Sequence, residues 1–242
     1  MSDEYLGLSK MIDHALLSPT LTVEDLESGC NMAAAYDVAS VCIMPYYVRR
    51  CAEILADSTV LASTVIGFPH GGQASSTKLA ESKQAIADGA IELDMVVNIS
   101  AVLSGQFDYV RDEISSIVDL AHASDRKVKV IFENCYLQDD HKKKLCEICC
   151  DVGADWVKTS TGFGTGGATI EDLKLMIEHT ESPVEVKAAG GVRDLVKLIE
   201  VKSLGVTRAG ASATPAILDP ARQLFGLDPA RWDGKPADVT GY

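Results

Sequence analysis

Asp155-Trp156-Val157-Lys158-Thr159-Ser160-Thr161-Gly162 and, one unit later, Val184-Glu185-Val186-Lys187-Ala188-Ala189-Gly190-Gly191 share one plan: a short apolar run, a lysine near its end, then a glycine turn. Charged groups rarely enter a buried strand unless something there pairs or uses them. Two amines at matching positions of successive strand–helix units predict a tuned pair, in which one lysine lowers the pKa of the other and frees it as a nucleophile. The alternative for the same residues is an ion-pair network that only holds the fold together.

Working outward, the chain alternates strand and helix throughout. Eight runs predict strands, at 11–16, 38–44, 61–68, 91–97, 128–134, 156–160, 184–188 and 206–209. Several are nearly continuous Val/Ile/Leu, as in a parallel sheet covered on both faces. Between them, Thr22 and Asp25 predict a capping box. Val110, Ile114, Ile117 and Ala121 keep a helical period, and Thr169 is placed to cap a helix from Ile170. Gly89 and Gly153 stand where helices should end. The expected fold is α/β, a single (β/α)8 TIM barrel with a short N-terminal extension. Its competitor is a doubly wound open sheet. The barrel is preferred because polar residues fall near the C-terminal ends of many strands, whereas an open sheet gathers its site at one switch point.

The 242 residues are 47% hydrophobic, enough for one large α/β domain over 1–242, ending in a C-terminal helix and mobile tail at 218–242. A formal charge of −13 argues against non-specific binding to nucleic acid or an anionic membrane. It leaves room for a small anion held by backbone N–H groups. Neither a signal peptide nor an apolar stretch long enough to span a bilayer is visible. Seven scattered cysteines fit a reducing cytoplasm. The run Cys146-Glu147-Ile148-Cys149-Cys150 lacks a second Cys/His pair with zinc spacing and reads as helix packing rather than a metal site.

Side chains alternate along a strand, so Trp156 and Lys158 share a face, as do Glu185 and Lys187, Glu92 and Asp94, and Lys129, Ile131 and Glu133. These faces are expected to converge inside the barrel mouth, placing lysines among carboxylates. Gly190-Gly191 follows the seventh strand and Gly210-Ala211-Ser212 the eighth, the two loops that commonly cradle phosphate in barrels. Gly162, with Gly164, Gly166 and Gly167, is placed to close the pocket from a third side.

Lys158-Thr159-Ser160-Thr161-Gly162-Phe163 and Val186-Lys187-Ala188-Ala189-Gly190-Gly191-Val192-Arg193 resemble the signature segments of the deoxyribose-phosphate aldolases. Further matching segments cover nearly the whole chain: Ile12-Asp13-His14, Val65-Ile66-Gly67-Phe68-Pro69, Glu92-Leu93-Asp94-Met95-Val96-Val97-Asn98-Ile99 and Lys129-Val130-Ile131-Phe132-Glu133. The resemblance implies a class I, Schiff-base aldolase with no metal or other cofactor, cleaving 2-deoxy-D-ribose 5-phosphate to D-glyceraldehyde 3-phosphate and acetaldehyde. It implies that Lys158 forms the imine and that Lys187 depresses its pKa. Asp94 then moves protons through water, and Asp13 hydrogen-bonds the second lysine. It also implies that Thr161 meets the sugar hydroxyls, that Gly162, Gly190, Gly191, Gly210 and Ser212 hold phosphate, and that the terminal Tyr242 is a lid and proton donor. The implied partners are a sugar phosphate, an aldehyde and further copies of the chain, as dimer or tetramer, with no nucleic acid and no membrane.

Ala15, Met44, Ala213 and the Phe132-Glu133-Asn134-Cys135 segment depart from the family pattern, which bears on substrate range and phosphate affinity. A related imine-forming lyase for another aldehyde or sugar phosphate, and a non-catalytic sugar-phosphate-binding barrel, are the alternative readings. None of the histidines is assigned a role: His70 follows the third strand near the site, His14 is expected to pack on the opposite face from Asp13, and His122, His141 and His179 fall on solvated helices. Cys42 reads as a small apolar filler near the mouth, and Lys142-Lys143-Lys144 as a solvated helix face.

Overall fold

The structure, a computed structural model, describes residues 2–232. A capped helix, α1 (Asp3–Ser9), leads into β1 (Ile12–Leu16), α2 (Val23–Tyr36) and β2 (Ser40–Ile43). There follow α3 (Val48–Leu55), β3 (Leu61–Ile66), α4 (Ser75–Ala87) and β4 (Glu92–Val96). Then come α5 (Ile99–Leu103), α6 (Phe107–His122), β5 (Lys127–Ile131), α7 (Asp139–Val152) and β6 (Trp156–Lys158). The last elements are α8 (Ile170–Glu178), β7 (Glu185–Ala189), α9 (Leu195–Ser203), β8 (Arg208–Ala211) and α10 (Thr214–Leu224). The strands form a closed parallel barrel in sequence order, β8 pairing back to β1 through Ile12–Ala209 and Asp13–Gly210. This is the expected (β/α)8 architecture, and it excludes the open sheet. No helix among the described residues is long and apolar enough to cross a membrane.

Alternation divides the two faces cleanly. Val41, Ile43, Leu93, Met95, Val128, Val130, Val157, Val186 and Ala209 join the core between sheet and helices, where burying an aliphatic side chain contributes about 1.5–3 kcal/mol. The intervening residues point into the barrel and are largely polar: Asp13, Ser40, Ser63, Glu92, Asp94, Lys129, Lys158 and Lys187, all buried. The strands look apolar in sequence because their helix-facing halves are, not because both faces are greasy.

Local signals fold as their chemistry dictates. Thr22 and Asp25 form the reciprocal cap of α2, and Thr169 accepts from the Asp172 N–H at the start of α8. Gly153 ends α7 at φ 71°, in left-handed geometry. Cys146 and Cys149 are fully buried in the helix–sheet core. Two expectations need correction. Lys142 is buried, its Nζ 2.6 Å from Asp172 and 3.1 Å from Asp139, because the helical period turns it toward α8 while Lys143 and Lys144 stay outside. The third, fifth and sixth strands also end early: Gly67 turns away at φ 63°, Glu133 sits at φ 59° beyond the end of β5, and β6 stops at Lys158.

Candidate active site

A cavity of about 430 Å³ opens at the C-terminal end of the barrel, with Lys158 and Lys187 in its lining and Asp13, Ala15 and Cys42 beside them. Lys158 and Lys187 are register partners on adjacent strands, and this pairing places both amines over β4. Lys158 Nζ donates to Asp94 Oδ2 at 2.7 Å and Lys187 Nζ to the same oxygen at 2.8 Å. Lys187 also reaches Asp13 Oδ2 at 2.5 Å.

Beneath them lies a second tier. Lys129 Nζ is 2.5 Å from Glu92, 3.0 Å from Asp94 Oδ1 and 3.3 Å from Asp13. Arg208 bonds Asp13 Oδ1 at 2.5 Å and Glu92 Oε1 at 2.8 Å, its guanidinium 4.8 Å from the Trp156 ring centroid. Ser40 and Ser63 donate to Asp13 and Asp94. Arg208 and this tier follow from the alternation that singles out Lys187; the eighth strand is so short that a lone arginine in it is a faint signal.

The electrostatics split the two amines. Burial is the largest influence on Lys158 and lowers its pKa; Asp94 opposes, and the Lys187 charge adds to the lowering. Burial also works against the Lys187 ammonium, but Asp13 and Asp94 outweigh it and raise its pKa. Burial would likewise raise Asp94, yet Lys129, Lys158 and Lys187 hold it well below the carboxylate range. The companion lysine thus contributes to the effect expected of it, but loss of water is the greater cause. Cys42, 4.0 Å from Asp94 Oδ2, has its thiol pushed up to about 11, by burial first and Asp94 second.

The loops after β6, β7 and β8 build the outer wall, where Thr161, Gly162, Gly190, Gly191, Gly210 and Ser212 all line the cavity together with Arg193. Gly190 (φ 80°) and Gly167 meet backbone to backbone: a Cβ on Gly167 would lie 2.4 Å from the Gly190 carbonyl oxygen. Helix α10 starts directly behind Ser212, and its first turn has no side-chain cap, which leaves N–H groups to favour an anion. Thr161 donates its hydroxyl to Glu133, whose carboxylate also accepts the Thr161 N–H; Glu133 therefore clamps the loop after β6 instead of entering the lysine cluster. Glu185, assigned to the same face as Lys187, is exposed and accepts from Thr207. His14 is buried behind β1 against the Thr214 hydroxyl, 2.9 Å away. His70 is exposed and does not line the cavity. Tyr242 lies outside the described residues. Of the departures from the family pattern, Ala15 lines the cavity next to Leu17 and Cys42, Met44 packs against that apolar corner, and Ala213 is the uncapped residue before α10.

The profile of the DeoC/LacD family aldolases matches residues 8–219. The chain is similar to the deoxyribose-phosphate aldolase of Rhodopirellula baltica, 61% identical over 224 residues and covering 93% of each. It is similar also to that of Thermococcus gammatolerans, 43% identical over 219 residues, 90% of this chain and 97% of the relative. Among solved structures, QR15, an aldolase, superposes with a TM-score of 0.85 at 36% identity over 93% of this chain and 99% of the other. The deoxyribose phosphate aldolase from Aeropyrum pernix, described as a unique tetramer, gives 0.83 at 31% identity over 90% and 92%. The chain belongs to the DeoC/LacD family of aldolases.

Proposed function

We propose that the chain is a class I aldolase that reversibly cleaves 2-deoxy-D-ribose 5-phosphate, with Lys158 as the imine-forming amine. The observation that carries this assignment is the pair of lysines sharing Asp94 Oδ2 in a water-poor barrel, below a glycine-lined cradle. The names of the relatives support the substrate.

In this reading the neutral Lys158 amine attacks C1 of the open-chain aldehyde. The carbinolamine loses water, and the resulting iminium draws electrons from the C2–C3 bond as the C3 hydroxyl gives up its proton. D-Glyceraldehyde 3-phosphate leaves. The enamine takes a proton at C2, and hydrolysis returns acetaldehyde and the free amine. Asp94, held by three lysines, moves protons through water. Lys187 remains charged beside the imine, fixed by Asp13. The phosphate rests in the cradle of Gly162, Gly190, Gly191, Gly210 and Ser212, supplying binding energy and orientation at a distance from the reacting carbons. Thr161 faces the sugar hydroxyls. Tyr242 is assigned as lid and proton donor, tested by the rate of solvent-proton exchange into acetaldehyde in Tyr242→Phe.

Borohydride reduction in the presence of acetaldehyde should leave an ethyl group on Lys158, located by mass mapping. A Lys158→Ala variant cleaving the sugar phosphate at full rate refutes the assignment. A homo-oligomer is expected, supported by the tetrameric Aeropyrum neighbour and tested by light scattering. The seven free cysteines favour a reducing compartment such as the cytoplasm, tested by fractionation.

A further inference from the structure

Among the described residues, four cations and three carboxylates fill the barrel interior, and their contacts are unequal. Lys129 reaches Glu92, Asp94 and Asp13. Lys187 reaches Asp13 and Asp94, and Arg208 reaches Asp13 and Glu92. Lys158 has one carboxylate partner among the described residues, Asp94 Oδ2, and shares it with Lys187. With all four cations charged, a closed interior would carry one unbalanced positive charge, which is costly away from water. With Lys158 neutral the interior balances three against three. Lys158 also loses least by giving up its proton, because Asp94 keeps Lys129 on one oxygen and Lys187 on the other.

We propose, resting on the assignment of Lys158 as the imine-forming amine, that Lys129 is a positioning residue for charge: it occupies the carboxylates that would otherwise keep Lys158 protonated. Lys129 is fully buried and does not line the cavity, so it acts through Asp94 and not on substrate. The groups facing Lys158 are Cys42 from β2, Asp94 from β4 and Lys187 from β7. Behind them stand Asp13 of β1, Glu92 of β4, Lys129 of β5 and Arg208 of β8; β3 contributes only the neutral Ser63. Of these, Lys129 is the cation whose loss strips charge from all three carboxylates at once.

Removing a carboxylate from this set should do the reverse. Lys129→Met leaves three carboxylates against Lys187 and Arg208, so Lys158 becomes the third cation. Glu92→Gln leaves two carboxylates against three fixed cations, and the Lys158 proton is expelled more readily.

The test is the acid limb of the kcat/KM profile for deoxyribose 5-phosphate, which reports the free enzyme. In Lys129→Met the limb should move up by about 1–2 pH units, with activity below it falling about tenfold per unit. In Glu92→Gln it should move down, in Lys129→Met/Glu92→Gln return toward wild type, and in Lys129→Arg stay near wild type. A purely structural role does not reverse sign between the two single variants. Single variants that shift the limb in the same direction, or a Lys129→Met limb at the wild-type position, overturn the proposal. If Lys129→Met does not fold, Glu92→Gln decides: a limb that stays put overturns it. Absence of a reduced acetaldehyde adduct on wild-type Lys158 sinks the imine assignment instead; an adduct there with unmoved limbs sinks this proposal alone.

Discussion

Replacing Gly190 by alanine tests the cradle at its tightest point. Its φ of 80° is a conformation that costs an L-residue about 1–2 kcal/mol. The new Cβ would sit 2.8 Å from Gly167 Cα, where carbon contacts prefer about 3.5–4.0 Å. That neighbour is backbone on the facing loop and has no rotamer to give, so the two loops must part by about 1 Å. Overpacking of this kind costs about 1–3 kcal/mol. The combined penalty of about 2–5 kcal/mol corresponds to a Tm lower by roughly 4–10 °C for a chain of this size. The functional effect follows from displacement: a phosphate anchor misplaced by about 1 Å costs on the order of 100-fold in rate. The assay compares kcat/KM for deoxyribose 5-phosphate with that for unphosphorylated deoxyribose. Gly190→Ala should lose about 100-fold on the first and little on the second, collapsing the preference for phosphate. A variant that keeps the wild-type ratio, however unstable, shows that the anion binds elsewhere.

Lys78→Met removes one half of a fully buried pair, Lys78 Nζ lying 2.9 Å from Glu113 and 2.7 Å from the Val96 carbonyl; the urea midpoint should fall by the equivalent of about 3–5 kcal/mol, and an unchanged midpoint contradicts the burial. His14 has its pKa lowered by burial to about 4, against about 6.5 when unfolded. The folded state therefore favours the neutral ring; its stability contribution is complete above about pH 6.5 and is lost as pH falls toward 4, amounting to about 3 kcal/mol. Denaturation curves at pH 7 and pH 4.5 should converge in His14→Asn relative to wild type, and parallel behaviour of the two proteins counts against it. Asp94→Asn should cut kcat by about 10²–10⁴-fold with a smaller change in KM, measured by aldehyde release; near-wild-type turnover removes Asp94 from the proton path.

The barrel and its two lysines were legible because a period of two is simple. Once β6 and β7 are strands, Lys158 and Lys187 must share a face, and parallel register does the rest. The same rule overreached at Glu133, where the chain leaves the sheet at φ 59° and the alternation no longer applies. Arg208 obeys the rule but stands in a strand of four residues, too few for a pattern to emerge. Lys142 was hidden by its neighbours: three consecutive lysines look solvated, and only a partner on α8, distant in sequence, explains its burial. The contact between Gly167 and Gly190 is likewise tertiary. Sequence shows two glycine-rich loops, not that each occupies the space a side chain on the other would need.

The ion-filled interior has a thermal consequence. Most barrels pack this volume with branched aliphatics, whose stabilisation per unit of buried area levels off on warming. The hydration that charged groups forgo inside a protein becomes less favourable as temperature rises. Warming therefore shrinks the penalty for housing Lys129, Arg208 and their acidic partners, and this layer loses less of its grip with heat than a greasy plug of equal size.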